Sequence, residues 1–288
     1  MALLPRLRLL HGGGHATSRP QVAFVFPGGG SLGAAQVGMA RALLESGIRP
    51  DVVVGCSVGA LNAAFLAQRP TADQAERLGQ IWHTINRHTV FGDTRRRTIT
   101  NLIMRSDHLY DSTNLRSLIA RCCSLADLSH AAIPVHVVTT DLDNGGVRWW
   151  SSGKPTDVLL ASACLPGLFA PVMLDGSRHV DGGVLDPVPV GRAVDLGART
   201  VYLMGEVVGP GAERPDRLCA LDVLLRSFAI SRFARVAPPE SLARPGQQVV
   251  VVPGADTRGI DIRDFSQTAR LMAEGYTAAK RFLATRAA

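Results

Sequence analysis

Two short apolar runs near the start of the chain are each followed by glycines and then by a helical pattern. Val22–Phe26 is continuously apolar, and Ser31–Ser46 after it places apolar side chains at helical spacing. Val52–Val54 is β-branched throughout and precedes a second helical stretch, Ala60–Gln68. This β-α-β-α order predicts buried parallel strands joined by a right-handed crossover.

The remaining chain alternates in the same way. Further strands are predicted at Val135–Thr140, Val147–Ser151, Val172–Leu174, His179–Val180, Val201–Met204 and Val249–Val252. Helices are predicted at Thr71–Arg87, Ser112–Cys122, along a stripe from Leu218 to Phe228, and at Ser266–Thr285. We therefore predict one α/β domain over residues 21–288, with a mainly parallel sheet between layers of helices.

Composition agrees with a globular domain and adds a basic charge. Of 288 residues, 46% are hydrophobic and 19% charged, and the net charge is +7. Such a charge favours anionic partners, but only 5% of residues are aromatic and no stacking pattern is present. We expect an anionic lipid surface rather than nucleic acid. The run Arg95-Arg96-Arg97 is interpreted either as a solvated loop or as a patch near the site entrance.

The sequence predicts neither a signal peptide nor a membrane span. Residues 1–20 lack a continuous apolar core and are interpreted as a flexible leader. The most apolar stretch, Val158–Leu174, is too short and is interrupted by Pro166 and Pro171. Any membrane contact would therefore be peripheral.

The cysteines predict a reducing compartment. Their number is odd and their spacing is unlike that of metal sites, so we expect free thiols, a cytoplasmic protein and no bound metal. Cys56 is interpreted as a small buried residue rather than a reactive thiol. The five are Cys56, Cys122, Cys123, Cys164 and Cys219.

The first glycine run has three interpretations. Gly28, Gly30 and Gly33 fit the G-x-G-x-x-G spacing of dinucleotide sites, but the acid that should follow the second strand, Asp51, precedes it. Alternatively, the run supplies amides at a helix N-terminus for an oxyanion, or is a tight turn without a ligand. We expect the oxyanion role and no cofactor, with Gly28, Gly29, Gly30, Ser31 and Gly33 forming the loop. A second run, His11–Gly14, has no strand before it and is interpreted as linker.

The second glycine run is a G-x-S-x-G pentapeptide between a strand and a helix. In that setting Ser57 lies on a sharp turn flanked by Gly55 and Gly59 and can act as a nucleophile. A serine needs a base, and both His179 and Asp181 are candidates. If their segment is a strand, both side chains point to the same face, and spacing alone does not choose between them.

Four motifs together resemble the patatin-like phospholipase family. They are Gly28–Gly33, Gly55–Ala63, Ala161–Pro171 (A-S-x-x-x-P-x-x-F-x-P) and Asp181-Gly182-Gly183, in order and at familiar distances from about Val22 to the C-terminal helix. Leu32 departs from the family, where many members carry arginine or lysine. Gly183 replaces the alanine of a common Asp-Gly-Ala form.

The resemblance implies a fold, a site and an activity. The fold would be a three-layer α/β/α sandwich, as in short bacterial single-domain members. Ser57 would be the nucleophile, Asp181 the base, and the loop from Gly28 the oxyanion hole, in a metal-free hydrolysis of lipid acyl esters through an acyl-enzyme. Two alternatives stay open: an esterase or thioesterase acting on soluble acyl compounds, and a catalytically silent lipid-binding regulator.

Overall fold

The computed structural model describes residues 19–92, 107–205 and 220–287. Most of the predicted leader, the Arg95–Arg97 run, the His11–Gly14 run and Cys219 lie outside these residues. The strands are β1 (Val22–Phe26), β2 (Val52–Cys56), β3 (Val135–Asp141), β4 (Gly146–Trp150), β5 (Val172–Leu174), β6 (Ser177–Asp181), β7 (Thr200–Met204) and β8 (Gln248–Val252). The helices are α1 (Gly33–Glu45), α2 (Val58–Ala67), α3 (Ala72–Thr84), α4 (Arg87–Phe91), α5 (Thr113–Cys122), α6 (Pro155–Ala163), α7 (Val190–Asp195), α8 (Ala220–Phe233) and α9 (Thr268–Ala287).

One eight-stranded sheet runs through the described part of the chain. Its order is β5-β6-β3-β2-β1-β7-β8, and β4 pairs with β3. Strands β3, β2, β1, β7 and β8 are parallel to one another. Strands β4, β5 and β6 are antiparallel to their neighbours. The predicted parallel sheet is confirmed, with an antiparallel edge.

The alternation of side chains along β1 divides the core into two layers. Phe24 and Phe26 pack into the cluster that includes α1, α2, α3, α5 and α6. Ala23 and Val25 pack on the other face, against α7. A continuously apolar strand is therefore buried on both faces, as predicted for a parallel strand.

Helices α1 and α9 pack backbone to backbone. A Cβ atom on Gly38 would stand 2.1 Å from the Met272 oxygen, and one on Gly275 would stand 2.5 Å from the Ala35 oxygen. Glycine at both positions therefore permits the close approach. This contact fixes the long C-terminal helix against α1.

Three helices were missed by the sequence pattern. Helices α4 and α7 have five and six residues, too few for a periodic signal. Helix α6 carries no apolar stripe because most of its residues are buried. The predicted hairpin is confirmed: Asp175 and Gly176 connect β5 to β6 with φ of 48° and 83°.

Candidate active site

Ser57 lies in a strained turn between β2 and α2. Its φ is 54° and its ψ is −127°, a conformation that L residues rarely adopt. The flanking glycines allow the turn, since a Cβ on Gly55 would be 2.5 Å from Ala60 Cα and one on Gly59 would be 2.2 Å from the Phe26 oxygen. The geometry is that of a nucleophile elbow.

A buried serine holds the backbone of this turn. The Ser57 amide donates to Ser162 Oγ at 2.9 Å, and Ser162 Oγ donates to the Val138 oxygen at 2.7 Å. Ser162 has no exposed surface and connects the end of α6 to both β2 and β3. Its place in the Ala161–Pro171 motif was the only sequence signal, and it gave no role.

Asp181 reaches Ser57 because two strands meet end to end along β3. Strand β2 pairs Cys56 with Val138, and β6 pairs Asp181 with the next residue, Thr139. The two strands run in opposite directions, so their carboxyl ends face each other on one edge of β3. The sheet thus brings Asp181 to Cys56, the neighbour of Ser57, across 125 positions of sequence.

The Asp181 carboxyl group is buried and only partly hydrogen-bonded. Oδ1 accepts the Gly183 amide at 2.7 Å and is 3.9 Å from Cys56 Sγ. Oδ2 accepts no hydrogen bond of ordinary geometry from the described residues. Burial raises the pKa of Asp181, and the Ser57 hydroxyl, the charge of Arg232 and the Gly183 amide oppose that rise. The Asp181 carboxyl group therefore lies beside the Ser57 hydroxyl and carries one buried oxygen that has no partner among the described residues.

The glycine loop packs directly on the Ser57 turn. A Cβ on Gly28 would lie 3.3 Å from Ser57 Cβ, and one on Gly33 would lie 2.8 Å from a Val58 methyl group. The amides of Gly28, Ser31 and Gly33 donate to main-chain oxygens. Those of Gly29 and Gly30 donate to no acceptor among the described residues.

Asp261 and Ile262, far along the chain, contact the glycine loop. The Ser31 amide donates to the Ile262 oxygen at 2.8 Å, and Ser31 Oγ donates to the Asp261 oxygen at 3.1 Å. Gly30 has a φ of 58°, and a Cβ there would be 2.4 Å from the Ile262 oxygen. The loop conformation is therefore fixed by contacts that span 230 residues and that sequence spacing does not indicate.

A second polar cluster, centred on Asn62, lies beneath the loop. Asn62 Nδ2 donates to the Gly33 oxygen at 3.0 Å and to Gln36 Oε1 at 2.9 Å. Trp82 Nε1 donates to Asn62 Oδ1 at 3.0 Å, and Gln36 Nε2 donates to the Pro27 oxygen at 2.7 Å. The cluster ties α1, α2 and α3 to both ends of the loop.

An apolar cavity opens on Ser57. Ser57 and Gly30 lie in its wall, and most other described residues of the wall are aliphatic or aromatic. They include Val58, Leu61, Trp82, Leu118, Phe169 and Phe265. An apolar wall of this kind is compatible with a hydrocarbon chain that reaches Ser57.

His179, the other candidate base, has a different partner. It is 1% exposed on β6, and its Nδ1 lies 3.0 Å from Thr139 Oγ1. Its ring also contacts Trp150 edge to face. Burial lowers the pKa of His179. Its hydrogen bonding is directed to Thr139, not to Ser57.

The described cysteines are free, as predicted. Cys56, Cys122, Cys123 and Cys164 form no disulfide. Cys56 is fully buried, and burial raises the pKa of its thiol well above the ordinary value. This agrees with the interpretation of Cys56 as a packing residue rather than a reactive thiol.

The described residues contain neither a metal-binding cluster nor a helix able to cross a membrane. No group of three or more His, Cys, Asp or Glu side chains is arranged to hold a metal ion there. Within the same residues, none of the helices combines the length and apolarity needed to cross a bilayer.

Comparison with known proteins identifies the family model that fits this chain. A model described as Patatin-like phospholipase matches residues 24–194, more than half of the sequence. This range contains the Ser57 turn, the glycine loop and Asp181.

The similar proteins are mostly longer than this chain. Patatin-like phospholipase domain-containing protein 7 of Rattus norvegicus is 29% identical over 182 residues, which are 62% of this chain and 13% of that protein. An uncharacterized NTE family protein of Mycobacterium tuberculosis is 29% identical over 225 residues, 73% of this chain and 57% of that protein. The chain thus spans less than two thirds of either relative. VipD from Legionella pneumophila has a TM-score of 0.47 and 16% identity, covering 93% of this chain and 67% of that one.

Proposed function

The chain belongs to the patatin-like phospholipase family, and we propose that it hydrolyses lipid acyl esters with Ser57 as nucleophile and Asp181 as general base. The observation that carries this proposal is the meeting of β2 and β6 on β3, which brings the Asp181 carboxyl group beside the Ser57 hydroxyl; one oxygen of that carboxyl has no partner among the described residues. A serine with a base within reach is the requirement for covalent acyl transfer.

The first half of the reaction forms an acyl-enzyme. Ser57 Oγ attacks the ester carbonyl while Asp181 Oδ2 takes the hydroxyl proton. The carbonyl oxygen becomes an oxyanion, which accepts hydrogen bonds from the amides of Gly29 and Gly30. When the tetrahedral intermediate collapses, the bond to the alcohol breaks, and Asp181 returns the proton to the leaving oxygen.

The second half repeats these steps with water. Asp181 removes a proton from a water molecule as its oxygen attacks the acyl carbon. Collapse releases the fatty acid, and the proton returns to Ser57 Oγ. The raised pKa of Asp181 supports this role, since a carboxyl closer to neutral pH both accepts and returns a proton more readily than an ordinary one.

The oxyanion role is assigned to two amides for a geometric reason. Of the five loop residues considered, only Gly29 and Gly30 have amides that are free of acceptors among the described residues. Gly29 caps and Gly30 begins a short 3₁₀ turn that leads into α1, where backbone dipoles favour negative charge. Removing one such donor elsewhere costs about 3 kcal/mol of transition-state stabilisation.

The cavity favours a lipid over a small soluble ester. Its apolar wall begins at Ser57 and extends between α2, α3 and α5. An acyl chain bound there would lose its contact with water, at about 0.8 kcal/mol per buried methylene. We therefore expect kcat/KM to increase with acyl length.

Peripheral contact with an anionic membrane also belongs to this proposal. The net charge of +7 supports attraction to anionic lipid. Helix α8 exposes Val223, Leu224 and Ile230, which would add apolar contact. Sedimentation with phosphatidylglycerol vesicles should exceed that with phosphatidylcholine vesicles and should decrease with salt. Equal binding to both would contradict this contact.

The activity is tested by one panel of substrates and one active-site probe. Purified protein is assayed on phospholipid vesicles and on p-nitrophenyl esters of short and long acyl chains, and is labelled with a fluorophosphonate. We expect labelling and hydrolysis to disappear in Ser57→Ala, with unchanged thermal unfolding. Activity confined to short soluble esters would favour an esterase. Folded wild-type protein without Ser57-dependent labelling would favour a silent lipid-binding protein.

A further inference from the structure

Arg232 is a buried cation beside the proposed base. It lies near the end of α8 and is 6% exposed. Its guanidinium carbon stands 4.8 Å from the ring centre of Phe233 and 5.5 Å from that of Phe228. Nε has no hydrogen-bond partner among the described residues. A buried charge is costly unless an opposite charge is close.

The opposite charge is that of Asp181, and Gly183 lies between the two. A Cβ atom on Gly183 would stand 2.9 Å from Asp181 Oδ1 and 3.0 Å from Arg232 Nη1. Both atoms therefore surround the same small space, no more than about 6 Å apart. At that range an opposite charge stabilises an ionised carboxylate.

The space itself is set by the sequence. Gly183 does not have a positive φ, so its backbone would accept alanine. The obstacle to alanine at this position is the volume of its methyl group. A methyl group there would press on both the guanidinium and the carboxylate. The Asp181-Gly182-Gly183 form of the motif thus matches the presence of Arg232.

We propose that Arg232 is a positioning residue that keeps Asp181 ionised and ready to accept the Ser57 proton, and that Gly183 provides the room through which the guanidinium approaches. This inference rests on the proposed function of Asp181. Without the arginine, full burial would favour the protonated acid, which cannot act as a base.

Other titratable side chains lie near the Asp181 carboxyl, and their effects on its ionisation must be distinguished from that of Arg232. Cys56 faces Asp181 from the end of β2, and Cys164 faces it from the end of α6. Both thiols have raised pKa values and stay neutral. Asp186 lies near Cys56 on the loop that follows, and burial raises its pKa to about 6. Asp186 therefore titrates within the range of interest and needs its own control.

The main experiment measures the pH profile of Ser57 reactivity. The rate of fluorophosphonate labelling and kcat/KM for a p-nitrophenyl ester are followed from about pH 4 to 9 in wild type, Arg232→Met and Arg232→Lys. We expect the acid limb of Arg232→Met to move to higher pH, with at least about a tenfold loss at pH 6 that recovers toward pH 9. Arg232→Lys should keep the wild-type limb, because it keeps the charge.

Two controls fix the interpretation. Arg235→Met removes the same charge from an exposed position three residues away and should reproduce the wild-type profile. The Arg232→Met shift should persist in an Asp186→Asn background. An unshifted limb in Arg232→Met, or an equal shift in Arg232→Lys, would overturn the proposal. An equal loss at every pH would indicate a structural role only.

Gly183→Ala provides an independent variant. It should move the acid limb in the same direction as Arg232→Met, and the two changes together should shift it less than the sum of the single shifts. Full additivity would contradict a shared space.

A stability measurement separates this proposal from the activity. The melting temperature of Arg232→Met should fall further below that of wild type as the pH rises above 3.8, the ordinary Asp value. A constant difference would overturn the proposal. If Ser57 is unreactive while the difference widens, the proposed function has failed and the role of Arg232 stands.

Discussion

The polar side chains around Asn62 and those around Asp181 are both buried beside the Ser57 turn, yet their hydrogen bonding differs. In the first cluster, the Asn62 amide group and the Gln36 amide group find partners on both sides. In the second, Asp181 Oδ2 accepts no hydrogen bond of ordinary geometry from the described residues, and Arg232 Nε donates none.

This difference in hydrogen bonding indicates different roles for the two clusters. A cluster in which the buried polar groups have hydrogen-bond partners, called saturated below, stabilises one arrangement of the backbone. Here the Asn62 cluster stabilises the two ends of the glycine loop. A buried acceptor without a hydrogen-bond partner costs folding free energy, but it stays available to a group that donates a proton. Under the proposed function, the Asn62 cluster positions the glycine loop and the Asp181 cluster transfers protons, and four changes test that division.

The largest effect is expected for Asp181→Asn. The amide keeps the size of the side chain but cannot accept the Ser57 proton, so kcat/KM should fall by at least about a thousandfold. The melting temperature should fall at neutral pH, because buried Arg232 loses the nearby opposite charge of Asp181. An ester hydrolysis assay measures kcat/KM, and thermal unfolding measures the melting temperature.

His179→Ala is the control for that variant. It should retain most of the activity, since the His179 ring is directed to Thr139. Loss of activity in His179→Ala with activity kept in Asp181→Asn would replace the proposed dyad with a histidine base.

The next effect belongs to the saturated cluster. Asn62→Ala removes three hydrogen bonds and leaves Gln36 and Trp82 with unmet buried groups, at about 2–4 kcal/mol of unfolding free energy. Urea denaturation checks this value. Asn114→Ala removes one hydrogen bond at the surface and should cost less than about 1 kcal/mol. A small cost for Asn62→Ala would remove the distinction between the clusters.

A smaller and mixed effect is expected for Ser162→Ala. The change deletes the partner of the Ser57 amide, at about 1–2 kcal/mol of stability, and loosens the turn. We expect roughly a tenfold loss in kcat/KM, since a misplaced nucleophile reacts slowly. Ser129→Ala, at an exposed site, is the matched control. Stability loss with full activity would show that the turn holds without Ser162.

The smallest effect is in the pH dependence of stability. The Asp181 pKa is raised in the folded protein, so the folded state binds more protons than the unfolded state above pH 3.8. The free energy of unfolding should therefore decrease as the pH rises from 3.8 through the raised pKa of Asp181. Asp181→Asn should lack this part of the decrease, which chemical denaturation at several pH values will reveal. Parallel curves for both proteins would contradict the raised pKa.

Local sequence predicted much of the fold. The apolar runs that became β1, β2, β3, β7 and β8 were identified because buried parallel strands leave an uninterrupted signal. The Asp175-Gly176 turn was found because its residue types permit a positive φ. Helices α4, α6 and α7 were missed because short or mostly buried helices have no clear amphipathic period.

The candidate site was predictable only in part. Ser57 and the glycine loop carry local patterns, but the choice of Asp181 over His179 came from family resemblance and not from spacing. Ser162, Ile262 and Arg232 contribute through contacts between distant segments, and single residues of these types carry no pattern. Which loop amides are free also depends on such contacts, through the Ile262 oxygen.

The end-to-end meeting of β2 and β6 makes the proposed reacting pair a property of strand register. A slip of β6 by one residue along β3 would move the carboxylate by about 3.3 Å and turn it to the opposite face of the sheet. Surface loops can therefore change in length and composition while the chemistry stays constant, provided that β3 keeps both partners aligned. An engineer who wants a new substrate from this scaffold would vary the cavity walls and leave β3 and the Asp175-Gly176 turn untouched.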